Sequence, residues 1–351
     1  MATSIEIPIF FATDHRYAPF LTVALTSLLD HATAGYIYKV YVLTTDLKDD
    51  YKKMIRSVLE KFPQVQASVD FISLAKELNK MGDLFHLRDY YSKETYYRFF
   101  IPNLFPKYNK AIYVDCDMIF LRDIAELYET DIEGYLLAAA PEEVMQESPQ
   151  PGLYVEKALG IDRNRYFSAG LMVMNTAEFR RQKIAERFVD LLQRFTFRVT
   201  QDEDYLNVLC KDKFVMLDLG WNKSAFKNDK FDDADLKLVH YKINWKPWHY
   251  ENIDYENYFW DYARKAGLYD MLIYMRDTYT DGEKKRDQQQ FDRLMEMCLV
   301  DAQDPDNYHN TMQRMKKRTS VYRAFAWLGK IVRVKKLVNL GRMRAGGRNG
   351  K

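Results

Sequence analysis

The sequence predicts an α/β protein in which a mostly parallel sheet is flanked by helices and followed by a helical C-terminal extension. The first observation is a strand–helix–strand–helix–strand pattern with short links at the start of the chain. The second is size and composition, because 351 residues, 47% of them apolar, can bury one large core. Ligands of such sheets bind at the carboxyl ends of the strands, so polar residues there are the first candidates for a site.

The opening pattern alternates strictly between apolar, strand-like runs and amphipathic helices. In order it predicts a strand at 5–12, a helix at 17–31, a strand at 36–44, a helix at 49–62 and a strand at 66–72. Asp14 then lies in the turn after the first strand. Neither the dinucleotide-binding G-x-G-x-x-G pattern nor the phosphate-cradling G-x-x-x-x-G-K-[ST] pattern follows that strand. Any phosphate must therefore be held by a metal and side chains.

Two acids separated by one residue end the next predicted strand, which begins at Lys110. Alternate side chains of a strand share a face, so Asp115 and Asp117 can point at one centre while Cys116 points away. Two carboxylates suit Mg²⁺ or Mn²⁺, which hold substrate phosphates through few protein ligands. The alternative is a solvated pair of acids at a strand end, because Asp favours turns.

The remaining segments continue the alternation and carry further polar clusters. They predict a helix at 94–100, a strand at 135–140, an irregular covering loop at 142–155, a strand entered at 166–175 and a helix at 176–195. Asp202, Glu203 and Asp204 begin another helix, where acids serve either catalysis or capping and the helix dipole. His240 ends a short apolar run, where it is either a ligand or a satisfied core histidine.

Six motifs, in this order, resemble glycosyltransferase family 8, whose members are retaining enzymes with a nucleotide-sugar-binding domain of the GT-A type. They are Phe11-Ala-Thr-Asp-His-Arg-Tyr17, Thr95-Tyr-Tyr-Arg98, Tyr113-Val-Asp-Cys-Asp117, Phe167-Ser-Ala-Gly170, Gln201-Asp-Glu-Asp204 and His240-Tyr-Lys-Ile-Asn-Trp-Lys246-Pro-Trp248. The family includes bacterial lipopolysaccharide galactosyl- and glucosyltransferases and glycogenin. No motif lies beyond Trp248, and residues 260–351 carry no specified resemblance.

The resemblance implies roles for individual residues. It implies a nucleotide-sugar site formed by Ala12, Thr13, Asp14, Tyr17, Arg98, Asp115, Cys116, Ser168, Ala169 and Lys246. Asp115, Asp117 and His240 are expected to bind Mn²⁺ or Mg²⁺, and a neutral imidazole is more typical of Mn²⁺. The metal and Lys246 would neutralise the departing nucleoside diphosphate. Asp202 and Glu203 are the expected catalytic residues.

Two positions depart from the family pattern. Members often have glycine three residues after the metal histidine, where the backbone closes on the phosphate, but this chain has Ile243. Some relatives have glutamine where this chain has Glu203. Because a carboxylate is a far better nucleophile than an amide, double displacement is more plausible here than in those relatives. The default expectation is attack on the same face, guided by the leaving phosphate.

The expected reaction is transfer of a hexose, glucose or galactose, from a UDP-sugar to a glycan or glycolipid acceptor such as a cell-surface polysaccharide or lipopolysaccharide. Residues 1–260 are the expected catalytic domain, 261–310 a helical extension and 311–351 a basic tail. A nucleotide-sugar-binding protein without turnover stays open. So does a sugar-nucleotide-forming nucleotidyltransferase, although that class usually has a glycine-rich basic loop after the first strand, which residues 13–16 lack.

The cysteine content and the hydropathy of the sequence predict that the protein is located in the cytoplasm. The three cysteines, Cys116, Cys210 and Cys298, are widely spaced, which predicts reduced thiols without a zinc site. No stretch approaches the roughly 18 to 20 apolar residues that span a bilayer, and the first residues lack the pattern of a signal peptide.

Charge is distributed very unevenly along the chain. Residues 311–351 contain 13 Lys and Arg and no acids, while residues 1–310 contain 39 basic and 50 acidic residues, a formal charge of −11. The acidic body argues against general nucleic-acid binding. In the tail, Trp327, Ile331, Val334 and Val338 form one helical stripe. This pattern predicts association with the anionic inner face of the cell membrane, with a docked helix or a nucleic-acid-binding arm as alternatives.

Truncation after Asn310 should release the protein from anionic vesicles while leaving hydrolysis of a UDP-sugar nearly unchanged. Each basic residue near an anionic surface contributes about 1 kcal/mol, so the tail holds the protein even when partly engaged. High salt should weaken attachment incompletely, because salt does not screen the apolar stripe. Vesicle flotation of both proteins at low and high salt measures this. Unfolding of the truncated protein, or indifference of the intact protein to vesicles at low salt, would contradict membrane attachment.

Overall fold

A computed structural model describes residues 5–45, 47–74 and 93–318. The described strands are β1 Ile5–Ala12, β2 Tyr36–Thr44, β3 Ala67–Ser73, β4 Ala111–Val114, β5 Met118–Phe120, β6 Leu137–Pro141, β7 Phe167–Met174, β8 Phe214–Met216, β9 Lys223–Ser224 and β10 Leu238–His240.

The α-helices within the same ranges are α1 Ala18–Asp30, α2 Asp49–Glu60, α3 Ile101–Leu104, α4 Ala125–Tyr128, α5 Glu143–Glu147, α6 Pro149–Tyr154, α7 Thr176–Arg181, α8 Ile184–Arg194, α9 Asp202–Leu209, α10 Glu256–Ala266, α11 Tyr269–Asp277 and α12 Asp281–Gln303. Shorter helical segments are the 3-10 helices Lys93–Phe99, Arg163–Arg165, Leu219–Asn222 and Asp233–Asp235 and the π-helical turn Val155–Leu159.

Seven strands form one sheet in the order β3-β2-β1-β4-β7-β6-β8. Strand β7 is antiparallel to both of its neighbours, and the other pairs are parallel. The predicted α/β class with a mostly parallel, helix-flanked sheet is therefore confirmed. A smaller sheet, in the order β5-β10-β9, lies beside it.

The large sheet has an apolar core on each face because alternate residues of its buried strands point in opposite directions. In β4, Ala111 and Tyr113 belong to one core, and Ile112 and Val114 belong to the other. A third apolar cluster joins α1, β10 and α10. There Trp248 is fully buried and stacks on Phe20 with ring centroids 3.9 Å apart.

The structure corrects two predictions of local structure. The helix predicted at 176–195 is two helices, α7 and α8, because Lys183 adopts a left-handed backbone conformation with φ of 54°. The irregular loop predicted at 142–155 is largely helical, since α5 and α6 run through it. Pro149 occupies the first turn of α6, where its missing N–H costs no helical hydrogen bond.

Helices continue to the end of the described chain. Asp287, Phe291, Leu294 and Cys298 recur at helical spacing on the less exposed side of α12, which packs on α6 and Val155–Leu159. Residues 308–318 form a further helix. The predicted stripe at Trp327 lies outside the described residues. None of the described helices has both the length and the apolar composition needed to cross a bilayer.

Candidate functional site

The topology gathers the sequence motifs at one edge of the large sheet. Asp14 and Asp115 follow the carboxyl ends of the adjacent strands β1 and β4, on either side of the point where strand order reverses. Because β7 is antiparallel, its first residues, including Gly170, lie at that same edge. Glu142 follows β6 there.

Three side chains at this edge could hold a metal ion. The ligand atoms of Asp115, Asp117 and His240 all lie within 4.8 Å of one another. Backbone hydrogen bonds fix their relative positions: the Asp115 N–H donates to the Gly170 carbonyl at 2.8 Å, and the Tyr241 N–H donates to the Asp117 carbonyl at 2.9 Å. The expected sharing of one centre by the two acids is thus realised, and Cys116 points the other way, into the apolar core.

The hydrogen bonds of His240 assign its tautomer. Asn222 donates its amide N–H to the Pro141 carbonyl at 2.9 Å, which leaves its oxygen 2.8 Å from His240 Nδ1. Nδ1 must then carry the proton, and Nε2 of a neutral ring presents a lone pair 3.2 Å from Asp117 Oδ1. A lone pair facing a carboxylate is unfavourable without a cation between them. The residues therefore fit a divalent ion.

Gly170 provides the space that this cluster needs. A Cβ atom at this position would lie 2.6 Å from His240 Cε1, 2.8 Å from Asp115 Oδ2 and 2.8 Å from the Met118 methyl carbon. Any larger residue would push the ligands apart. The sequence motif that contains Gly170 gives no sign of this role, because the role depends on contacts between distant segments.

Two cations balance the two acids of the cluster. Lys246 Nζ donates to Asp117 Oδ2 and to the Tyr241 carbonyl. Burial alone would raise the pKa of Asp117, but the Lys246 charge holds it well below its usual range. For Asp115 the burial effect is larger than the attraction of Arg98, so its pKa is raised.

Arg98 is buried beneath the site and joins three elements. Its guanidinium donates to Asp115 Oδ1 at 3.0 Å and to the Ala169 carbonyl, pairs with Asp202 at 3.1 Å and lies over the Tyr113 ring at 4.2 Å. Its side chain is only 3% exposed. Arg98 therefore supports the floor of the cleft.

The three acids at the start of α9 have different surroundings. Asp204 accepts hydrogen bonds from the Tyr154 and Tyr166 hydroxyls and from the Thr200 N–H, which is a structural role. Asp202 pairs with Arg98, and burial raises its pKa to about 7 despite that partner. Gln201, just before them, has φ of 53° and ψ of −114°, a conformation that costs about 1 to 3 kcal/mol and is typical of functional sites.

Glu203 lines the cleft beside Ala169. The Ala169 N–H donates to Glu203 Oε2 at 2.8 Å. Burial, followed by repulsion from Glu142, raises the pKa of Glu203 well above its usual range. Glu142 itself pairs with Lys242 at 2.6 Å. The surroundings of Glu203 therefore favour its protonated form over its ionised form.

The residues expected around the nucleoside lie next to the metal cluster but not in the wall of the main cleft. Ala12 and Thr13 end β1 and follow it, and the Cys116 thiol donates to the Ala12 carbonyl. Asp14 accepts the N–H groups of Arg16 and Tyr17, which forms a turn before α1.

The main cleft of this site is open to solvent. Its lining contains the predicted Arg98, Asp115, Asp117, Ser168, Ala169, Asp202, Glu203, His240 and Lys246. Sequence analysis missed Thr95, Glu142, Thr200, Lys242 and Leu294 as lining residues. Glu142 could have been found from its place after a strand, as Asp115 was. Leu294 belongs to α12, where no motif marks it.

Ile243 has the backbone conformation that glycine would favour. Its φ is 58°, although a β-branched residue strongly disfavours this left-handed region. Isoleucine in place of glycine therefore adds a side chain at this position, while the backbone keeps the left-handed conformation that glycine would favour. Ile243 lines the cleft between Lys242 and Lys246.

The chain is similar to several known proteins. The family model described as Glycosyl transferase family 8 matches residues 8–252. General stress protein A of Bacillus subtilis is 27% identical over 219 residues, which cover 61% of this chain and 72% of that protein. Glycosyltransferase GlyE of Streptococcus pneumoniae is 24% identical over 309 residues, covering 84% and 69%. Lipopolysaccharide glucosyltransferase WaaO of Escherichia coli is 26% identical over 178 residues, covering 48% and 50%.

Two solved structures share the fold. The apo structure of the bifunctional glycosyltransferase WbbM has a TM-score of 0.66 at 22% identity, and the match covers 78% of this chain and about half, 52%, of that one. The galactosyltransferase LgtC, solved with donor and acceptor sugar analogues, has a TM-score of 0.59 at 20% identity and is covered over 95% of its length, against 74% of this chain.

Gly170→Ala should weaken Mn²⁺ binding by about 10- to 100-fold, because the added methyl group displaces His240 or Asp115. Calorimetric titration of Mn²⁺ in the presence of UDP measures the affinity. Gly282→Ala is the matched control, since a Cβ there meets nothing closer than Thr280 Oγ1 at 3.8 Å. Equal Mn²⁺ affinities for the two variants would contradict the assignment of the Asp115, Asp117 and His240 cluster as the metal site.

Proposed function

The chain belongs to glycosyltransferase family 8, and from this premise we propose that it is a retaining, metal-dependent hexosyltransferase. It takes glucose or galactose from a UDP-sugar and transfers it to a glycan or glycolipid acceptor. The family membership supports the reaction class. The choice of hexose draws on relatives described as a lipopolysaccharide glucosyltransferase and a galactosyltransferase.

The observation that carries the proposal is the arrangement of His240 and Asp117. A neutral imidazole nitrogen directed at a carboxylate, with a second carboxylate within 4.8 Å, is a ligand set for a divalent ion at the carboxyl edge of a parallel sheet. Mn²⁺ fits the mixed nitrogen and oxygen donors best, and Mg²⁺ is the alternative. When bound, the ion neutralises the charge that develops on the departing UDP.

The protein's own groups act on the two ends of the breaking bond. Lys246, whose ammonium contacts Asp117, is close enough to the metal ligands to share the diphosphate charge with them. On the other side of the cleft, the Ala169 N–H and Glu203 flank the space for the hexose. A carboxylate there stabilises the positive charge of an oxocarbenium-like centre.

Two retaining routes are open to this site. Departure and attack on the same face, guided by the leaving phosphate, is the favoured route, and in it Glu203 only stabilises charge. Double displacement is the second candidate, because Glu203 occupies the position where some relatives carry glutamine and an incoming cation would favour its ionised form.

The proposal also covers where the enzyme acts and which kind of acceptor it uses. The thirteen positive charges of residues 311–351 support attachment to an anionic membrane, and the acidic body argues against nucleic acid as a partner. We place the enzyme on the cytoplasmic face of the cell membrane, where it adds sugar to a cell-surface glycan precursor.

Asp117→Asn should abolish metal-dependent UDP binding without unfolding the protein, because it removes an anionic ligand and keeps the side-chain shape. Calorimetry with UDP and Mn²⁺ measures binding, and thermal denaturation monitors the fold. Asp190→Asn, at an exposed site on α8, is the control. Unchanged UDP affinity in Asp117→Asn would leave the acid pair as a strand-end feature only.

A panel of nucleotide sugars, assayed with Mn²⁺ for slow hydrolysis, tests the reaction itself. UDP release from UDP-glucose or UDP-galactose, with the freed sugar first appearing as the α-anomer by NMR, is the expected result. Tight binding without UDP release would instead indicate a nucleotide-sugar-binding protein. Release of pyrophosphate from UTP and a sugar phosphate would indicate a nucleotidyltransferase.

Glu203→Gln should lower kcat by about 10- to 100-fold with little change in donor KM, because the charge is needed mainly in the transition state. In the wild type, kcat should rise with pH as Glu203 ionises, since the carboxylate is the active form and its pKa is raised. The variant should lose that rise. Equal kcat values would remove Glu203 from the catalytic residues and leave Asp202 as the candidate.

A further inference from the structure

Lys246 lies in a tight turn whose conformation is unusual. The Lys246 N–H donates to the Asn244 carbonyl at 3.0 Å, and its own carbonyl accepts the N–H groups of His249 and Tyr250 at 3.0 and 2.9 Å. Ile243, at the start of the turn, has φ of 58°. A turn that begins with a β-branched residue in this region needs support from its surroundings to persist.

Asp287 of α12 contacts both flanks of this turn. On the amino side, Asn244 Nδ2 donates to the Asp287 backbone carbonyl at 2.6 Å. On the carboxyl side, the Tyr250 hydroxyl donates to Asp287 Oδ2 at 2.9 Å. The same oxygen accepts the Tyr279 hydroxyl at 2.8 Å, which ties the turn to the segment that leads into α12.

Ring contacts reinforce the same junction. Tyr279 stacks on His249 with centroids 3.9 Å apart and an interplanar angle of 5°, and Trp245 meets Phe291 edge to face at 4.7 Å. One turn further along α12, Leu294 lines the main cleft. Helix α12 thus reaches the site both directly and through the turn, although it lies beyond residues 8–252, which the family model matches.

We propose that Asp287 is a positioning residue that holds Lys246 against the metal ligand Asp117 and makes α12 part of the donor site. The inference rests on the proposed function, in which Lys246 shares the charge of the departing diphosphate. Asp287 touches no substrate in this role. It acts by fixing the two ends of a strained turn, so that the ammonium group is already in place when the donor binds.

A double-mutant cycle between Asp287→Ala and Lys246→Ala separates positioning from general stabilisation. Asp287→Ala alone should lower kcat/KM for UDP-sugar hydrolysis by about 10- to 100-fold. In the Lys246→Ala background the same change should alter kcat/KM by no more than about twofold, since its effect passes through Lys246. Equal losses in both backgrounds, or no loss in either, would overturn the proposal.

Controls make each outcome decisive. Asp292→Ala removes an exposed acid from the same helix and should leave kcat/KM unchanged. Asp287→Asn keeps a side-chain oxygen that can accept the Tyr250 and Tyr279 hydroxyls, so it should retain most activity, and the backbone carbonyl that Asn244 contacts is present in every variant. If Asp287→Ala does not fold, Tyr250→Phe, which loses one hydroxyl and keeps the ring, replaces it in the cycle and must show the same dependence on Lys246. If Lys246→Ala itself has no effect, the proposed role of Lys246 fails; if only Asp287→Ala has none, this inference alone fails.

Discussion

The site depends on the buried guanidinium of Arg98, because the chain brings several carboxylates to one dry edge of the sheet. Arg98 pairs with Asp115 at the end of β4 and with Asp202 at the start of α9, and it also donates to the Ala169 carbonyl of β7. Removing one partner of such a buried pair typically costs about 3 to 5 kcal/mol, since a charge is left without compensation. One residue therefore sets the distance between the Asp115 side and the Asp202 side of the cleft.

The same need for compensation explains the other cations. Lys246 pairs with Asp117, and Lys242 pairs with Glu142, while Glu203 has no cation in direct contact among the described residues, and burial raises its pKa. Burial and charge thus divide the acids into two kinds. Among the acids that line the cleft, those with a cationic partner are positioned by it, and Glu203, which has none in direct contact within the described part of the chain, is available to respond to charge that arises in the cleft.

The C-terminal extension adds a second layer to this arrangement. Leu294 of α12 closes part of the cleft, and Asp287 binds both flanks of the turn that carries Lys246. The matched family region alone would leave this turn, with its strained Ile243, without those contacts. The last of the six motifs, residues 240–248, is therefore held in place by residues of α12, which belongs to no motif.

Sequence alone determined the fold class, the strand ends and most of the candidate site. Apolar residues recur every two residues in strands and every 3.6 residues in helices, and these patterns depend only on neighbouring residues. Asp14, Asp115 and Glu203 each lie at an element boundary that is visible in the sequence. Tertiary structure decided what depends on distant segments meeting: the reversal of β7 that brings Gly170 beside His240, the sharing of Arg98 by two acids, and the packing of α12 on the cleft. It also decided the break at Lys183 and the helices at 143–154, because packing and left-handed turns override helix periodicity and proline patterns. No local pattern carries that information.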